Sequence, residues 1–116
     1  MPSKNPAQRL RDIVDNILAI QTFTSGMDFP TFQADQKTAY AVVRALEIIS
    51  EASRRLPVDV TGPHPEIDWP AIASVGNIYR HEYEAVDVSL IWHTIQHELE
   101  KLKEVADAEL SRLLQR

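Results

Sequence analysis

The sequence predicts an all-α protein, an up-and-down bundle of four main helices with one additional short helical turn. Apolar residues recur every three or four positions through long segments, which is the spacing of one face of a helix. No segment shows the strict alternation of a half-buried strand. Most of the three glycines and seven prolines separate these segments. A chain of 116 residues fits a single domain, so we expect residues 1–116 to share one core.

The first helix is predicted from Ala7 to about Phe23. Ser25 and Gly26 break the pattern after it, with Pro30 shortly beyond. The phenylalanines of residues 28–32 predict a short helical turn that inserts aromatic rings into the core. The apolar stripe of the first helix consists of Leu10, Ile13, Val14, Ile17 and Ile20.

The second long helix is predicted to follow Asp35, a good N-terminal cap, and to continue to about Leu56. Pro57 stops it. Residues 57–67 contain three prolines and a glycine and predict a loop. The apolar stripe of this helix consists of Ala39, Val42, Val43, Leu46, Ile49 and Ala52.

Two further helices complete the prediction. Asp68 caps the third, which has Trp69 and Pro70 in its first turn and is expected to end near residues 83–85. Asp87 caps the last, which is expected to run to the C-terminus. Its sustained stripe could serve the core or a partner helix, and consists of Ile91, Ile95, Leu99, Leu102, Ala106, Leu110 and Leu113.

Composition narrows the possible functions. The net charge of −5 argues against broad, non-specific nucleic-acid binding, although a small basic pocket remains compatible with it. The chain has no cysteine, which excludes disulfides, thiol catalysis and thiolate metal sites. It has no apolar run of about 18 residues and no signal-peptide core near its start, so we expect a cytoplasmic protein. P-loop, GxGxxG and GxSxG signatures are missing.

Residues 76–83, Gly-Asn-Ile-Tyr-Arg-His-Glu-Tyr, concentrate the chemically useful side chains. His81 can take or give a proton near neutral pH, and Arg80 can hold a phosphate. Tyr83 offers an aromatic ring with a hydroxyl. Asn77 has poor helix propensity, so it is expected to hydrogen-bond across a helix contact or to line a pocket. Taken alone, His81 also fits a partly buried histidine on an amphipathic helix.

Metal binding is a second interpretation of the histidines. His93 and His97 stand four residues apart, a spacing that can place two ligands on one helix face. No HExxH pattern surrounds them, so a solvated helix face explains them more simply. His64, between two prolines, is interpreted as a loop residue.

The chain resembles the HepT-like branch of the HEPN proteins from about Leu10 to Leu110. The segments that carry the resemblance are residues 10–13, 41–52, 65–72 and 76–83, followed by Val86 and Asp87. The resemblance implies an all-α bundle that dimerises and acts without metal or cofactor as the ribonuclease toxin of a two-gene module. It also implies a partner, an MNT-type nucleotidyltransferase antitoxin that transfers AMP to the tyrosine of a His-x-Tyr motif. Here that motif is residues 81–83, so Tyr83 is the matching acceptor.

One position departs from the family pattern. The usual motif is Arg-x4-His with asparagine after the arginine; Asn77 and His81 are in register, but Gly76 stands where the arginine belongs. Arg80 is the nearby substitute, so His81 and Arg80 are the predicted catalytic residues. Gly76, Asn77 and Tyr79 are predicted to bind substrate or nucleotide. A glycine inside a helix costs about 1 kcal/mol relative to alanine, which suggests close backbone approach there.

Three functions remain open from the sequence. The chain is a ribonuclease toxin, or a non-catalytic partner subunit of a nucleotidyltransferase whose nuclease activity is lost with the arginine at position 76. In the third possibility, the protein is a helical dimer, and residues 76–83 serve only as part of the dimer interface.

Overall fold

The computed structural model describes residues 5–81 and 88–115, and within α5 it describes side chains only as far as Val75. The regular structure of these residues is entirely helical, which confirms the predicted all-α class. The helices are α1 (Pro6–Phe23), α2 (Phe29–Ala34), α3 (Gln36–Arg54), α4 (Val58–Thr61), α5 (Trp69–His81), α6 (Val88–His97) and α7 (Leu99–Leu114). None of the described helices combines the length and apolar character needed to cross a membrane.

The first three helices begin at side-chain caps. The side chain of Asn5 accepts a hydrogen bond from the Ala7 backbone nitrogen at 2.9 Å, and Asp28 caps α2 through the nitrogen of Thr31 at 2.9 Å. Asp35 caps α3 as predicted, since its carboxylate accepts from the Thr38 nitrogen at 3.0 Å. Each of these oxygens satisfies a backbone N–H that has no partner within its own helix.

The turn between α1 and α2 depends on Gly26. Its φ of 77° lies in the left-handed region, where a residue with a Cβ is strained. The short helix that follows places Phe32 in the core with no exposed surface, as predicted. The Phe32 ring packs against Trp92 of α6 with ring centroids 5.1 Å apart.

The predicted loop of residues 57–67 contains one helical element that the sequence did not reveal. Helix α4 makes a single turn, with the Val60 and Thr61 nitrogens donating to the Pro57 carbonyl at 2.9 and 3.2 Å. Val60 is 2% exposed. Burial of this side chain is what fixes the turn in a segment whose prolines otherwise indicate irregular structure.

The predicted last helix is divided in two at Glu98. Hydrogen bonds from the Glu98 nitrogen to the Thr94 carbonyl and from the Leu102 nitrogen to the Glu98 carbonyl continue the helical pattern across the junction. The break is therefore a bend between α6 and α7 rather than a loop. Four stripe residues are 2% exposed or less, which shows that this part of the stripe serves the core: Ile91, Leu99, Leu102 and Ala106.

The core lies where α1 packs against α3 on one side and α7 on the other. Gln21, near the end of α1, donates to the carboxylate of Glu100 at the start of α7 at 2.9 Å, so the two helices are antiparallel. Helix α3 also packs along α5. The side chains with no exposed surface at this junction include Leu10, Ile13, Ile17, Ile20, Val42 and Leu102.

Candidate functional site

Helix α5 carries most of the predicted site on one continuous backbone. Its start is fixed by Asp68, whose carboxylate accepts from the Ala71 nitrogen at 3.1 Å, as predicted. The helix is described as far as His81, so it includes Gly76, Asn77, Tyr79 and Arg80. The predicted AMP acceptor Tyr83, the predicted helix end at residues 83–85 and the predicted cap Asp87 lie outside the described residues.

The helical repeat assigns the site positions to faces. Successive residues differ by about 100°, so residues four apart lie within about 40° of each other. Asn77 and His81 are such a pair, and Gly76 and Arg80 are another. Ala73, Asn77 and Arg80 form a third stripe with the same helical spacing. The backbone therefore brings the Arg80 position to the face of the glycine that replaces the family arginine, one turn further along.

A buried polar junction holds α5 against α3 one turn before the motif. The hydroxyl of Ser50, which is fully buried, donates to the backbone carbonyl of Ala73 at 2.6 Å. The Nη1 of Arg54 donates to the same carbonyl at 2.6 Å and lies 3.2 Å from the Ser50 hydroxyl. Two donors from α3 thus fix the position of α5 along α3, directly before Gly76 and Asn77.

The sequence prediction did not include Ser50 or Arg54. A signal for both was present in the stripe of α3, where a serine follows Ile49 on the buried face and an arginine stands four residues later. A polar residue on a buried face requires a hydrogen-bond partner. The identity of that partner, a carbonyl on α5, depends on tertiary packing.

The end of α3 is electropositive in an otherwise acidic chain. Glu51 accepts hydrogen bonds from Arg54 and from the Nε of Arg55, the latter at 3.0 Å. The hydrogen bond from Arg54 is the largest of the interactions that lower the pKa of Glu51 below its usual value. One carboxylate between two guanidinium groups leaves this end of α3 with a net positive charge, the sign that attracts phosphate.

A groove runs beside the motif helix on its other side. It has a volume of about 250 Å³ and lies between α5, α6 and α7. Ile72 and Val75 of α5 line one wall, and Leu90, His93 and Thr94 of α6 line the other. Position 76 lies about 40° from Ile72, so the surface next to Gly76 continues this apolar face.

His93 and His97 lie on one exposed face of α6, with ring centroids 4.4 Å apart and ring planes inclined at 40°. Among the described residues, no three histidine, cysteine, aspartate or glutamate side chains gather in a way that could hold a metal ion.

His64 lies in the predicted loop and has a structural role there. Its Nε2 is 2.7 Å from a carboxylate oxygen of Glu109 on α7, and its backbone carbonyl accepts from the indole of Trp69 at 3.1 Å. The hydrogen bond to Glu109 raises the pKa of His64 above its usual value, with a smaller contribution from Glu66. Burial opposes the charged form of Glu109, but hydrogen bonds from Arg112 and His64 outweigh burial and lower the pKa of this carboxyl.

A family model and the sequences of related proteins indicate the same family. A family model described as ribonuclease HepT-like matches residues 6–109. A Thermococcus cleftensis protein named "Probable ribonuclease HepT" is 43% identical over 94 residues, covering 81% of this chain and 86% of that protein. A Methanocaldococcus jannaschii protein named "Putative RNase MJ0127" is 32% identical over 109 residues, covering 90% of each chain. No solved structure gives a significant match.

Proposed function

This chain belongs to the HepT-like family of ribonucleases, and from that membership we propose that it is a metal-independent endoribonuclease that works as a dimer. We also propose that it is the toxin of a toxin–antitoxin pair. The observation that carries the proposal is the extent of the family match. It spans residues 6–109, from the start of α1 through most of α7, and so includes both the fold and residues 76–83.

The proposed reaction uses the nucleophile that RNA itself carries. His81 removes the proton of a ribose 2′-hydroxyl, and the 2′-oxygen attacks the adjacent phosphorus. The bond between phosphorus and the 5′-oxygen breaks, and a protonated histidine returns a proton to that leaving oxygen. The products are a 2′,3′-cyclic phosphate and a free 5′-hydroxyl. No metal is needed to generate the nucleophile, because an imidazole titrates near neutral pH.

Dimerisation supplies the second half of this chemistry. A single helix presents one histidine, whereas two copies of α5 at a shared cleft provide a base and an acid. Arg80, whose guanidinium remains charged at all relevant pH values, stabilises the negative charge that develops on the phosphoryl oxygens. Asn77, Tyr79 and the backbone at Gly76 are proposed to position the RNA beside these groups.

AMPylation of Tyr83 is the proposed means of control. An MNT-type nucleotidyltransferase transfers AMP to the phenolic oxygen and releases pyrophosphate from ATP. The product carries a negatively charged phosphodiester two residues from His81. That group excludes an RNA phosphate from the same site by its bulk and by charge repulsion. Intact mass after co-expression with the partner tests this step. One AMP mass should appear on wild-type protein and be absent from Tyr83→Phe.

Cleavage of RNA by the purified protein in the presence of EDTA tests the nuclease proposal. His81→Ala should reduce the rate by about 10²–10⁴-fold, the usual contribution of a general acid–base. Arg80→Ala should also reduce it. His97→Ala is the matched control, because this histidine is exposed on α6, and it should retain the wild-type rate. Equal cleavage by His81→Ala and wild type would remove the proposed role of His81, and inhibition by EDTA would contradict metal independence.

Gly76 favours a second candidate, a non-catalytic subunit that binds a nucleotidyltransferase. The family arginine is absent at this position, so a partner-binding protein could keep the fold without the nuclease activity. Gly76→Arg separates the two candidates. Cleavage that appears only in Gly76→Arg would identify the natural protein as a binding subunit, whereas cleavage by wild type supports the nuclease.

A further inference from the structure

We propose that Arg54 of α3 acts alongside Arg80 as a second phosphate-binding guanidinium, compensating for the arginine that the motif lacks at Gly76, and that it contacts the RNA phosphate in the active site. This inference rests on the proposed ribonuclease function. It assigns to α3 a site residue that lies outside residues 76–83 and that the motif alone does not indicate.

The position of the guanidinium is set by its contact with α5. Nη1 of Arg54 lies 2.6 Å from the Ala73 carbonyl oxygen. In an α-helix that carbonyl also accepts from the backbone nitrogen four residues later, which here belongs to Asn77. Standard bond lengths then place Nη1 within about 5.5 Å of the Asn77 nitrogen and within about 8 Å of the Gly76 Cα. An arginine side chain at position 76 would carry its own guanidinium to a comparable distance from that Cα.

Joining α5 to α3 does not require the charge of Arg54, because the uncharged Ser50 hydroxyl already links the two helices. The Ser50 hydroxyl satisfies the Ala73 carbonyl at 2.6 Å, is fully buried and holds α5 to α3 without carrying a charge. Arg54 duplicates that bond, and its side chain is 33% exposed. Its charged group therefore reaches the surface beside α5, where a ligand can approach.

The guanidinium also retains donor capacity and charge for a phosphate. Its contacts use Nη1 for Ala73 and Ser50 and one hydrogen of Nη2 for Glu51. A guanidinium has five N–H groups, and among the described residues Nε and the second Nη2 hydrogen have no hydrogen-bond partner, so both can serve a ligand. Glu51 is shared with Arg55, so its single negative charge does not neutralise both arginines.

The test compares Arg54→Ala with Arg55→Ala. Arg55 is the matched control because it is adjacent, is also bound to Glu51 and has no contact with α5 among the described residues. Cleavage kinetics of a single-stranded RNA should show a loss of about 10²-fold for Arg54→Ala, mainly in kcat, and a change below about twofold for Arg55→Ala. The double variant Arg54→Ala/Gly76→Arg should recover at least about tenfold, because it returns a guanidinium to the family position.

Binding gives a readout that is independent of turnover. The probe is a fluorescein-labelled single-stranded RNA with 2′-O-methyl riboses, which cannot form the 2′-oxygen nucleophile. Its affinity, measured by anisotropy, should fall for Arg54→Ala and stay unchanged for Arg55→Ala. If Arg54→Ala fails to fold, Arg54→Met replaces it, since methionine retains an apolar stem that packs without the charge.

The outcomes separate this inference from the proposed function. Equal effects of Arg54→Ala and Arg55→Ala would overturn it. So would a lowered melting temperature in Arg54→Ala with no recovery of activity on addition of Gly76→Arg, since that result describes a purely structural contact. If the wild-type protein cleaves no RNA, the nuclease proposal fails, and the anisotropy measurement alone tests the contact between Arg54 and phosphate. Loss of binding only in Arg54→Ala then supports the phosphate contact, and wild-type binding by Arg54→Ala refutes it.

Discussion

The imidazole of His64 and the carboxylate of Glu109 are separated by 45 positions in the chain and meet at 2.7 Å. Glu109 is 6% exposed and is also held by Arg112, whose Nη2 donates to its other oxygen at 2.7 Å. The contact fastens the loop before α5 to the last helix. The start of the motif helix is therefore coupled to α7 through an imidazole whose pKa is raised by its hydrogen bond to Glu109.

The pH dependence of stability should follow from this pair. The folded pKa of His64 is raised above its usual 6.5, so its contribution is fully present below about pH 6.5 and is lost as pH rises through the folded value. The pKa of Glu109 is lowered from 4.5, so its contribution is present above that value and is lost as pH falls through the folded one. The free energy of unfolding of wild type minus that of His64→Gln should therefore be larger near about pH 5.5 than near about pH 8. A difference independent of pH in urea titrations would contradict the coupling.

Removing the Glu109 carboxylate should lower the free energy of unfolding more than removing its exposed partner Arg112. Glu109→Ala leaves His64 and Arg112 without their common acceptor in a nearly buried position, and we expect a loss of about 3 kcal/mol in the free energy of unfolding. Arg112→Ala should lose less, because that side chain is 42% exposed. Urea denaturation of the two variants measures both losses in the free energy of unfolding. Equal losses would show that the burial of Glu109 does not add to the cost of removing it.

The core of α1 gives a prediction with an internal control. Ile13 has no exposed surface, so Ile13→Ala should cost about 2–5 kcal/mol through lost transfer energy and a residual cavity. Leu18 lies on the same helix with 44% of its surface exposed, and Leu18→Ala should cost much less. Thermal unfolding by circular dichroism measures both. Similar melting temperatures for the two variants would contradict the assigned face of α1.

The stability that the N-terminal cap gives to α3 should depend on whether residue 35 can accept a hydrogen bond, and not on the size of its side chain. Asp35 accepts hydrogen bonds from the nitrogen and the hydroxyl of Thr38, and these bonds lower the pKa of its carboxyl. Asp35→Ala removes the acceptor and should lower the melting temperature, whereas Asp35→Asn retains an oxygen and should recover most of the loss. Equal melting temperatures for the alanine and asparagine variants would show that the cap does not hold α3 in place.

Local signals were sufficient for much of the fold. Asp35 and Asp68 predicted the starts of α3 and α5 because a cap acts within its own turn. The bend at Glu98 had no such signal, since glutamate is a good helix former and the residues on both sides keep a helical apolar spacing. Helix α6 packs against α2 whereas α7 packs against α1, and these contacts between distant segments exist only in the folded core.

In the candidate site, too, the sequence predicted what lies within one helix and not the contacts between helices. The sequence placed Gly76, Asn77, Tyr79, Arg80 and His81 on one helix, and the backbone agrees. It did not indicate Arg54, because that contact joins residues 19 positions apart across two helices. A motif describes the spacing along α5, whereas a cation contributed by a neighbouring helix follows only from tertiary packing.

The two indoles of this chain flank the motif and are both anchored, which makes them optical reporters of it. Trp69 is fixed in the first turn of α5 by its hydrogen bond to the His64 carbonyl, and Trp92 is fixed on α6 by the ring of Phe32. The sequence contains no other tryptophan. Intrinsic emission therefore follows the helices on both sides of residues 76–83 without any label, and single Trp→Phe variants assign a change on RNA addition to one side or the other.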